Sequence, residues 1–373
     1  MSGRSEKVLE QLRSVESRDD RPLYAQIRRT LRILIQDHFK DGQKFFTEPE
    51  LVSKFGASRG TVRRALEELT RDGLLDRQIA KGSFVRKGGA PVREIATLQV
   101  IVPDLTTPFF TALLHHISIA CRKRNFRMQV NYTHKDDKCA EVIDAIKGSR
   151  KHKNVILLHN LPQMTLEIYQ DLSGKGYHVV NIGPAMQDYP GPSLAIDNEA
   201  TIRIAVEHLM ALGHRRIVYL INEPEVSGNV IERSLAFQAV VRERGLSEAR
   251  AVSCHTQFWE DSYAQAYPFM QAVFSQGRRP TAIIAHSDPG AWAAMRWLAD
   301  SGYSVPSQVS VLGFGDHKPS RFTYPKLSTL AQPLANMAAR ALEILAMKPM
   351  PTDLERFSPT LVVRESTGPA PTV

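Results

Sequence analysis

Ser58, Arg59, Thr61, Arg63 and Arg64 crowd hydroxyl and guanidinium groups into seven consecutive positions. A guanidinium can bridge O6 and N7 of guanine in a duplex major groove, worth ~1–3 kcal/mol of base discrimination per contact, while hydroxyls suit phosphate oxygens. Any one of these arginines could equally solvate a helix face beside Glu67 and Glu68. They form a reading head only if the surrounding elements hold them on a second helix behind a tight turn. Lys81, with Gly82 and Ser83, places a further cation in a short turn downstream, and Thr47 supplies a hydroxyl upstream. These complete the candidate DNA contacts.

Turnover chemistry is not represented. The chain has no Walker loop, HExxH run, GxSxG elbow or zinc-type spacing. Cys121, Cys139 and Cys254 stand far apart with no CxxC pair. His115 and His116 adjoin on one predicted helix and cannot face a single site, and His208 and His214 flank a helix end. No catalytic residue, metal site or cofactor is expected.

The elements that must position the arginines follow from apolar spacing. Residues 1–20 are polar, mix both charges and read as a tail. Pro22, an N1-type proline, opens a helix whose Leu23, Ile27, Leu31, Leu34 and Ile35 recur at helical intervals to about Phe39, before Asp41-Gly42 breaks it. Thr47 and Glu50 form a capping box for a second helix that Gly56 stops. Ser58 caps the third, with Val62, Ala65, Leu66 and Leu69 facing inward until Gly73. Strand-like Leu74–Arg77 and Gly82–Val85, joined by a basic turn, make a hairpin. Helix, helix-turn-helix and hairpin together predict a winged helix over residues 21–87, followed by a Gly/Pro-containing linker over 88–96.

These residues carry a resemblance. Pro22-Leu23-Tyr24-Ala25-Gln26-Ile27, Thr47-Glu48-Pro49-Glu50-Leu51, Ser58-Arg59-Gly60-Thr61-Val62-Arg63-Arg64-Ala65-Leu66 and Lys81-Gly82-Ser83-Phe84-Val85 resemble the winged-helix domain of the gluconate-repressor (GntR) family. Two positions depart from it. Pro49 stands where the family usually has a DNA-contacting arginine, and Ala80 replaces the glycine that opens the wing tip. The resemblance therefore implies a double-stranded operator whose sequence differs from the family norm.

From Thr97 onward, strands at 97–102, 127–131, 154–158, 177–182, 216–220, 280–284 and 309–313 alternate with helices such as 108–125, 198–212, 230–244 and 288–300. Such βα alternation predicts parallel sheets covered on both faces, with ligands at the carboxyl ends of the strands. Val102-Pro103-Asp104, Ile196-Asp197-Asn198-Glu199-Ala200, Leu212-Gly213-His214-Arg215-Arg216-Ile217, Val309-Ser310-Val311-Leu312-Gly313-Phe314 and Leu327-Ser328-Thr329-Leu330-Ala331-Gln332-Pro333 resemble the effector core of the lactose/galactose repressor (LacI/GalR) family, from about 97 to 366. That resemblance implies a periplasmic-binding-protein-like fold with two lobes, three crossovers and a ligand cleft that closes by hinge motion. Carried over residue by residue, it implies that Arg233 clamps the ligand and Phe258 forms an aromatic wall. Phe109 and Phe110 form the opposite lip, and Ser287, Asp288 and Gln332 supply polar contacts. Plainer readings stand beside these: an ion pair for Arg233, core packing for the phenylalanines and a helix cap for Asp288. Gly183 and Gly315 stand where relatives carry acids, with Asp316 one position on as the candidate replacement. A site short of carboxylates points to a larger, less hydroxylated or anionic ligand, or to a lost one.

The whole is expected to be an α/β protein: an N-terminal winged helix-turn-helix, then a two-lobed domain over 97–368 that binds effector and dimerises. At 373 residues the chain is long enough for several cores. Residues 1–89 hold 19 basic against 13 acidic residues, six of the nine excess positive charges, which marks the polyanion-facing part. The start lacks a signal-type apolar run and later apolar runs are strand-length. A cytoplasmic homodimer on a near-palindromic operator is expected, acting as a repressor, with a carbohydrate as effector and no membrane contact. The joint arrangement is similar to that of the arabinose repressors. The alternatives are a DNA-binding regulator with a vestigial sensor and, more distantly, a sugar-transport binding protein.

Overall fold

The computed structural model describes residues 22–78, 82–86, 96–103, 105, 107–133, 140, 143–144, 146, 153–158, 162–186, 189–258, 260–275 and 277–372. The chain divides into two compact units, residues 1–95 and 96–373. The expected tail, most of the linker and Lys81 at the wing tip lie outside the described residues.

In the first unit α1 (Leu23–His38), α2 (Glu48–Phe55) and α3 (Arg59–Arg71) precede a hairpin of β1 (Leu75–Gln78) and β2 (Gly82–Val85). Pro22 takes the N-cap position of α1 rather than N1, and its carbonyl accepts from Ala25 N at 2.8 Å. Glu50 accepts from both the backbone N–H and the hydroxyl of Thr47, at 2.7 and 2.9 Å, which fixes the start of α2. Gly56, at φ 59°, closes α2 in the left-handed conformation that glycine adopts without steric cost. The apolar stripes of the three helices meet in one core of Ile27, Leu31, Ile35, Leu51, Val62, Leu66 and Leu69, extended by Phe39, Phe45 and Phe46. A short third edge joins the hairpin: Lys44 bridges Phe84, and Gln43 O accepts from Val85 N at 2.8 Å. Arg28 and Arg32 hold α1 to the end of α3 through Glu68 and Asp72.

The second unit contains two six-stranded sheets. The first has the order β13-β7-β6-β5-β3-β4, all parallel. It consists of β3 (Thr97–Val102), β4 (Arg127–Tyr132), β5 (Asn154–Leu157), β6 (His178–Ile182), β7 (Ser193–Ile196) and β13 (Leu354–Phe357), with α4 (Pro108–Lys123) and α5 (Pro162–Ser173) as its helices. The second has the order β14-β12-β11-β10-β8-β9, parallel except for the edge pair β12–β14. Its strands are β8 (Ile217–Ile221), β9 (Arg250–Ser253), β10 (Ala282–Ala285), β11 (Ser310–Gly315), β12 (Ser328–Ala331) and β14 (Thr360–Val362). Helices α6 (Asn198–Ala211), α7 (Gly228–Glu243), α8 (Ser262–Ser275) and α9 (Asp288–Asp300) belong to it, and α10 (Leu334–Ile344) packs back on α4.

The chain passes between the lobes three times: after β7, after β12 and between β13 and β14. This is the crossover count implied by the resemblance. Strands such as β3, β8 and β10 are buried along their whole length, the mark of a parallel sheet covered on both faces. Strands β7, β9, β12, β13 and β14 were not among those read from the sequence.

Leu66 is buried in the centre of the first unit's core. Leu66→Ala should destabilise that unit by about 2–5 kcal/mol. Hydrogen exchange on the full chain would register this as lost protection of the α1 and α3 amides, whereas unchanged protection would refute the packing described.

Candidate functional site

Helix α3 buries Val62, Ala65, Leu66 and Leu69 and leaves Arg59, Arg63 and Arg64 exposed. Its start is fixed by Ser58, whose Oγ accepts from Thr61 N at 3.2 Å and lies 2.8 Å from Thr61 Oγ1. The two hydroxyls expected to meet phosphates are therefore held as a pair at the first turn. Arg63 forks onto Glu48 with two 3.3 Å contacts, and Arg77 of β1 reaches the same carboxylate at 2.6 Å. Hydrogen bonding from Arg63 is the main cause that holds Glu48 below the usual carboxylate range. The Arg64 guanidinium lies 3.8 Å over the Tyr24 ring, a cation–π contact that anchors it to α1. Thr47 is engaged in its cap, and Gly82, at φ 106°, opens β2 beside Ser83, opposite Gln78 and Arg77. Thus α3, the second helix of the helix-turn-helix, carries an exposed cationic edge, and Glu48, not singled out in the sequence, orients Arg63 of α3 together with Arg77 of β1.

The second unit holds a cavity of about 100 Å³, several times the ~10–15 Å³ that one water needs. Its lining comes from the carboxyl ends of strands in both sheets, where doubly wound folds bind ligands. Phe109 follows β3, Gly183 follows β6 and Ile196 ends β7, while Glu223, Phe258, Ser287 and Gln332 follow β8, β9, β10 and β12. Phe314 and His317 stand at the end of β11, and Arg233 enters from α7.

Arg233 is the centre of this arrangement. Its Nε donates to Asn198 Oδ1 at 2.7 Å and its Nη1 to the His286 carbonyl at 2.9 Å, while its face lies 3.6 Å over the Phe314 ring. Nη1 also lies 3.2 Å from His286 Nε2. Arginine only donates, so Nε2 is the acceptor and Nδ1 carries the proton, which it donates to Tyr219 Oη at 2.6 Å. Burial holds His286 well below the ordinary imidazole value, with the Arg233 charge as the second cause. Burial also lowers the Arg233 guanidinium to about 10. Asn198, which starts α6 at the first crossover, is itself oriented by Glu232 through a 2.5 Å bond from its amide. A buried residue at a lobe junction therefore sets the angle of the guanidinium.

Of the eight cleft residues expected, Phe109, Arg233, Phe258, Ser287 and Gln332 line the cavity. Three do not. Phe110 is buried in the apolar core beneath α4. Asp288 is fully buried with its carboxylate consumed: Oδ1 accepts from Thr329 at 2.6 Å, and Oδ2 from Ser320 and the His317 backbone at 2.7 and 2.8 Å. Asp316 pairs with Arg321 at 2.9 Å and with Arg364, so it does not replace the acid missing at Gly315. Gly315 has φ 137°, and a Cβ there would stand 2.6 Å from His317 Nε2. The glycine makes room for the imidazole. Glu223, Asn229, His286, Phe314 and His317 line the cavity but were not singled out in the sequence; their positions just past strand ends are the signal that could have found most of them.

Comparison with known proteins places both halves. Residues 23–85 match the model of bacterial regulatory proteins of the gntR family, and residues 206–367 match the periplasmic binding protein-like domain. The HTH-type transcriptional regulator GalR of Escherichia coli K12 is 29% identical over 277 residues, 72% of this chain and 78% of that protein. The arabinose metabolism transcriptional repressor of Geobacillus stearothermophilus is 25% identical over 361 residues, 93% of this chain and 98% of that protein. Among solved structures, a LacI transcriptional regulator from a Rhodococcus species superposes with a TM-score of 0.65 at 26% identity, over 74% of this chain and 100% of its own.

His286 must stay neutral when folded, whereas in the unfolded chain it titrates near 6.5. A depressed histidine pKa means the unfolded state binds the extra proton, so stability is complete above about 6.5 and falls as pH drops below it, by at most about 1.4 kcal/mol per pH unit for this group. His208, His214 and His317 are lowered by burial too and slope the same way. Urea unfolding at several pH values should show the midpoint falling with acidity, and His286→Gln should flatten part of that fall. An unaltered slope in the variant would contradict the assigned role.

Proposed function

We propose that this chain, a GntR-type helix-turn-helix head joined to a periplasmic-binding-protein-like domain, is a transcription regulator whose grip on operator DNA is set by a small carbohydrate-class ligand in the cleft. The observation that carries the reading is the presence, in one chain, of an exposed arginine edge on α3 and a cavity at the strand ends centred on Arg233. Guanidinium forks suit guanine edges and the Ser58–Thr61 pair suits phosphate. Phe109 and Phe258 offer apolar faces, and Arg233, Ser287, Asn229 and Gln332 offer polar groups to hydroxyls.

Relatives named as arabinose metabolism transcriptional repressors support the sign and the ligand class. Two copies that associate through their sensor lobes would place two heads on the halves of a near-palindrome. Ligand closure of the cleft then alters how well the paired heads fit. A coupling of ~1–3 kcal/mol changes operator affinity about 5- to 150-fold. The protein works without catalysis, in the cytoplasm with the DNA; among the described residues no helix is long and apolar enough to cross a membrane. A regulator with a vestigial sensor is the second reading, favoured by Gly183 in the lining and by the diversion of Asp288 and Asp316 to protein partners.

Selection of bound duplexes from a random pool tests the DNA reading. Against the selected site, Arg59→Ala should cost ~1–3 kcal/mol, about 5- to 150-fold in affinity, with relaxed preference at one position. Uniform weakening across all sequences would reassign Arg59 to phosphate contact. Arg233→Ala should remove the effect of the cleft ligand on operator affinity, and a retained response would move the ligand site elsewhere.

A further inference from the structure

The cation at the centre of the cleft makes no direct ion pair among the described residues. Its four contacts among the described residues are neutral: the Asn198 amide oxygen, the His286 ring and carbonyl, and the face of Phe314. No ion pair to Arg233 occurs among the described residues, although the group is only 5% exposed. Burying a charge without a counter-ion is costly, and proteins ordinarily pair it. Its Nε and Nη1 are taken, whereas Nη2 has no hydrogen-bond partner among the described residues.

The nearby acids make no direct contact with it, although Glu223 and Glu232 act on its charge from a distance. Asp288 is held by Thr329, Ser320 and the His317 backbone, and Asp316 by Arg321 and Arg364. Glu232 accepts from the Asn198 amide and lies 3.9 Å from Arg356. Glu223 is the one acidic lining residue named for the cavity among the described residues, and its Oε1 already accepts from Ser262 at 2.8 Å and Ser287 at 2.6 Å. Gly183 and Gly315 bring no carboxylate.

A second, independent observation lies on the wall. Gln332 Oε1 is buried without any donor, an unmet acceptor in the lining. A ligand that suits the cavity must therefore bring a negative group for a buried guanidinium and a hydroxyl for a buried amide oxygen. The neutral ring of His317, accommodated by Gly315, is available beside them as a further donor or acceptor.

We propose that the cleft selects an anionic carbohydrate derivative: a compact polyhydroxylated molecule bearing a carboxylate or a phosphate, whose anion engages Arg233 Nη2 and one of whose hydroxyls donates to Gln332 Oε1. This rests on the reading of the cleft as a carbohydrate site and narrows it. A charge-assisted bond to the anion supplies the direct ion pair that a neutral sugar cannot.

The test is calorimetric titration and thermal shift of the full chain with matched sets at fixed ionic strength: glucose, gluconate, glucuronate and glucose 6-phosphate, the corresponding arabinose series, and acetate and inorganic phosphate alone. The expected result is that an acid or phosphate binds at least about tenfold tighter than its neutral parent and than the bare anion, equal to ~1.4 kcal/mol. The carboxylate and phosphate arms then identify the group. Arg233→Gln should erase that preference and Arg233→Lys should keep part of it. If either variant fails to fold, the paired comparison on the natural chain decides alone. A neutral sugar that binds as tightly as its anionic partner overturns the inference and leaves the carbohydrate reading standing. Bare phosphate or acetate binding as tightly as the sugar derivative overturns the hydroxyl half of it. No response to any member overturns the carbohydrate reading and the inference with it.

Discussion

A guanidinium taken out of water must be held, and in this chain that requirement organises the sensor. Arg233 comes from α7, its Nε partner Asn198 from the first crossover, its carbonyl and imidazole partner His286 from the end of β10, and its stacking partner Phe314 from β11. Four separate segments must be in register before the side chain has a place. The neutral state of His286, enforced by burial, is part of this: a protonated ring would face a second positive charge at 3.2 Å. Because Asn198 starts the crossover helix, a ligand that pulls on the guanidinium also pulls on the segment that joins the lobes.

The head solves a different problem. Its helices are short and its core small, so α3 is steadied from several sides: Ser58 at its start, Arg28 and Arg32 on the acids at its end, and the Phe39, Phe45 and Phe46 cluster beyond its buried stripe. Glu48 collects Arg63 and Arg77, and Tyr24 supports Arg64, so two of the three arginines are oriented before DNA arrives. Pre-orientation lowers the entropy that binding must remove.

Much of this was legible in the amino-acid sequence because the signals were local. The helical stripe from Ile27 to Ile35, the Thr47–Glu50 box and the Ser58 cap each depend on residues a turn apart, and each stands in the structure. Most strands were legible as apolar runs, but β13, Leu-Glu-Arg-Phe, alternates like an exposed edge, and β7 and β12 each open on a serine and carry only short apolar stretches. What the sequence could not convey was which polar group is spent where. Asp288 and Asp316 adjoin the cleft in sequence, yet hydroxyls and arginines from up to 48 positions away claim their oxygens. His286 carried no motif, and its role came into view only when Arg233 and Tyr219 met on its two nitrogens.

The account's central claim, that one chain reads DNA and lets a cleft ligand alter the reading, is tested most directly by anisotropy titration of the full chain. A duplex recovered by selection and a scrambled duplex would be compared at about 150 mM salt, with and without a saturating cleft ligand. The account predicts a preference of about a thousandfold or more for the selected duplex, affinity that falls as salt rises, and a severalfold or greater change on adding ligand. Equal binding of both duplexes, or no binding at all, would contradict it.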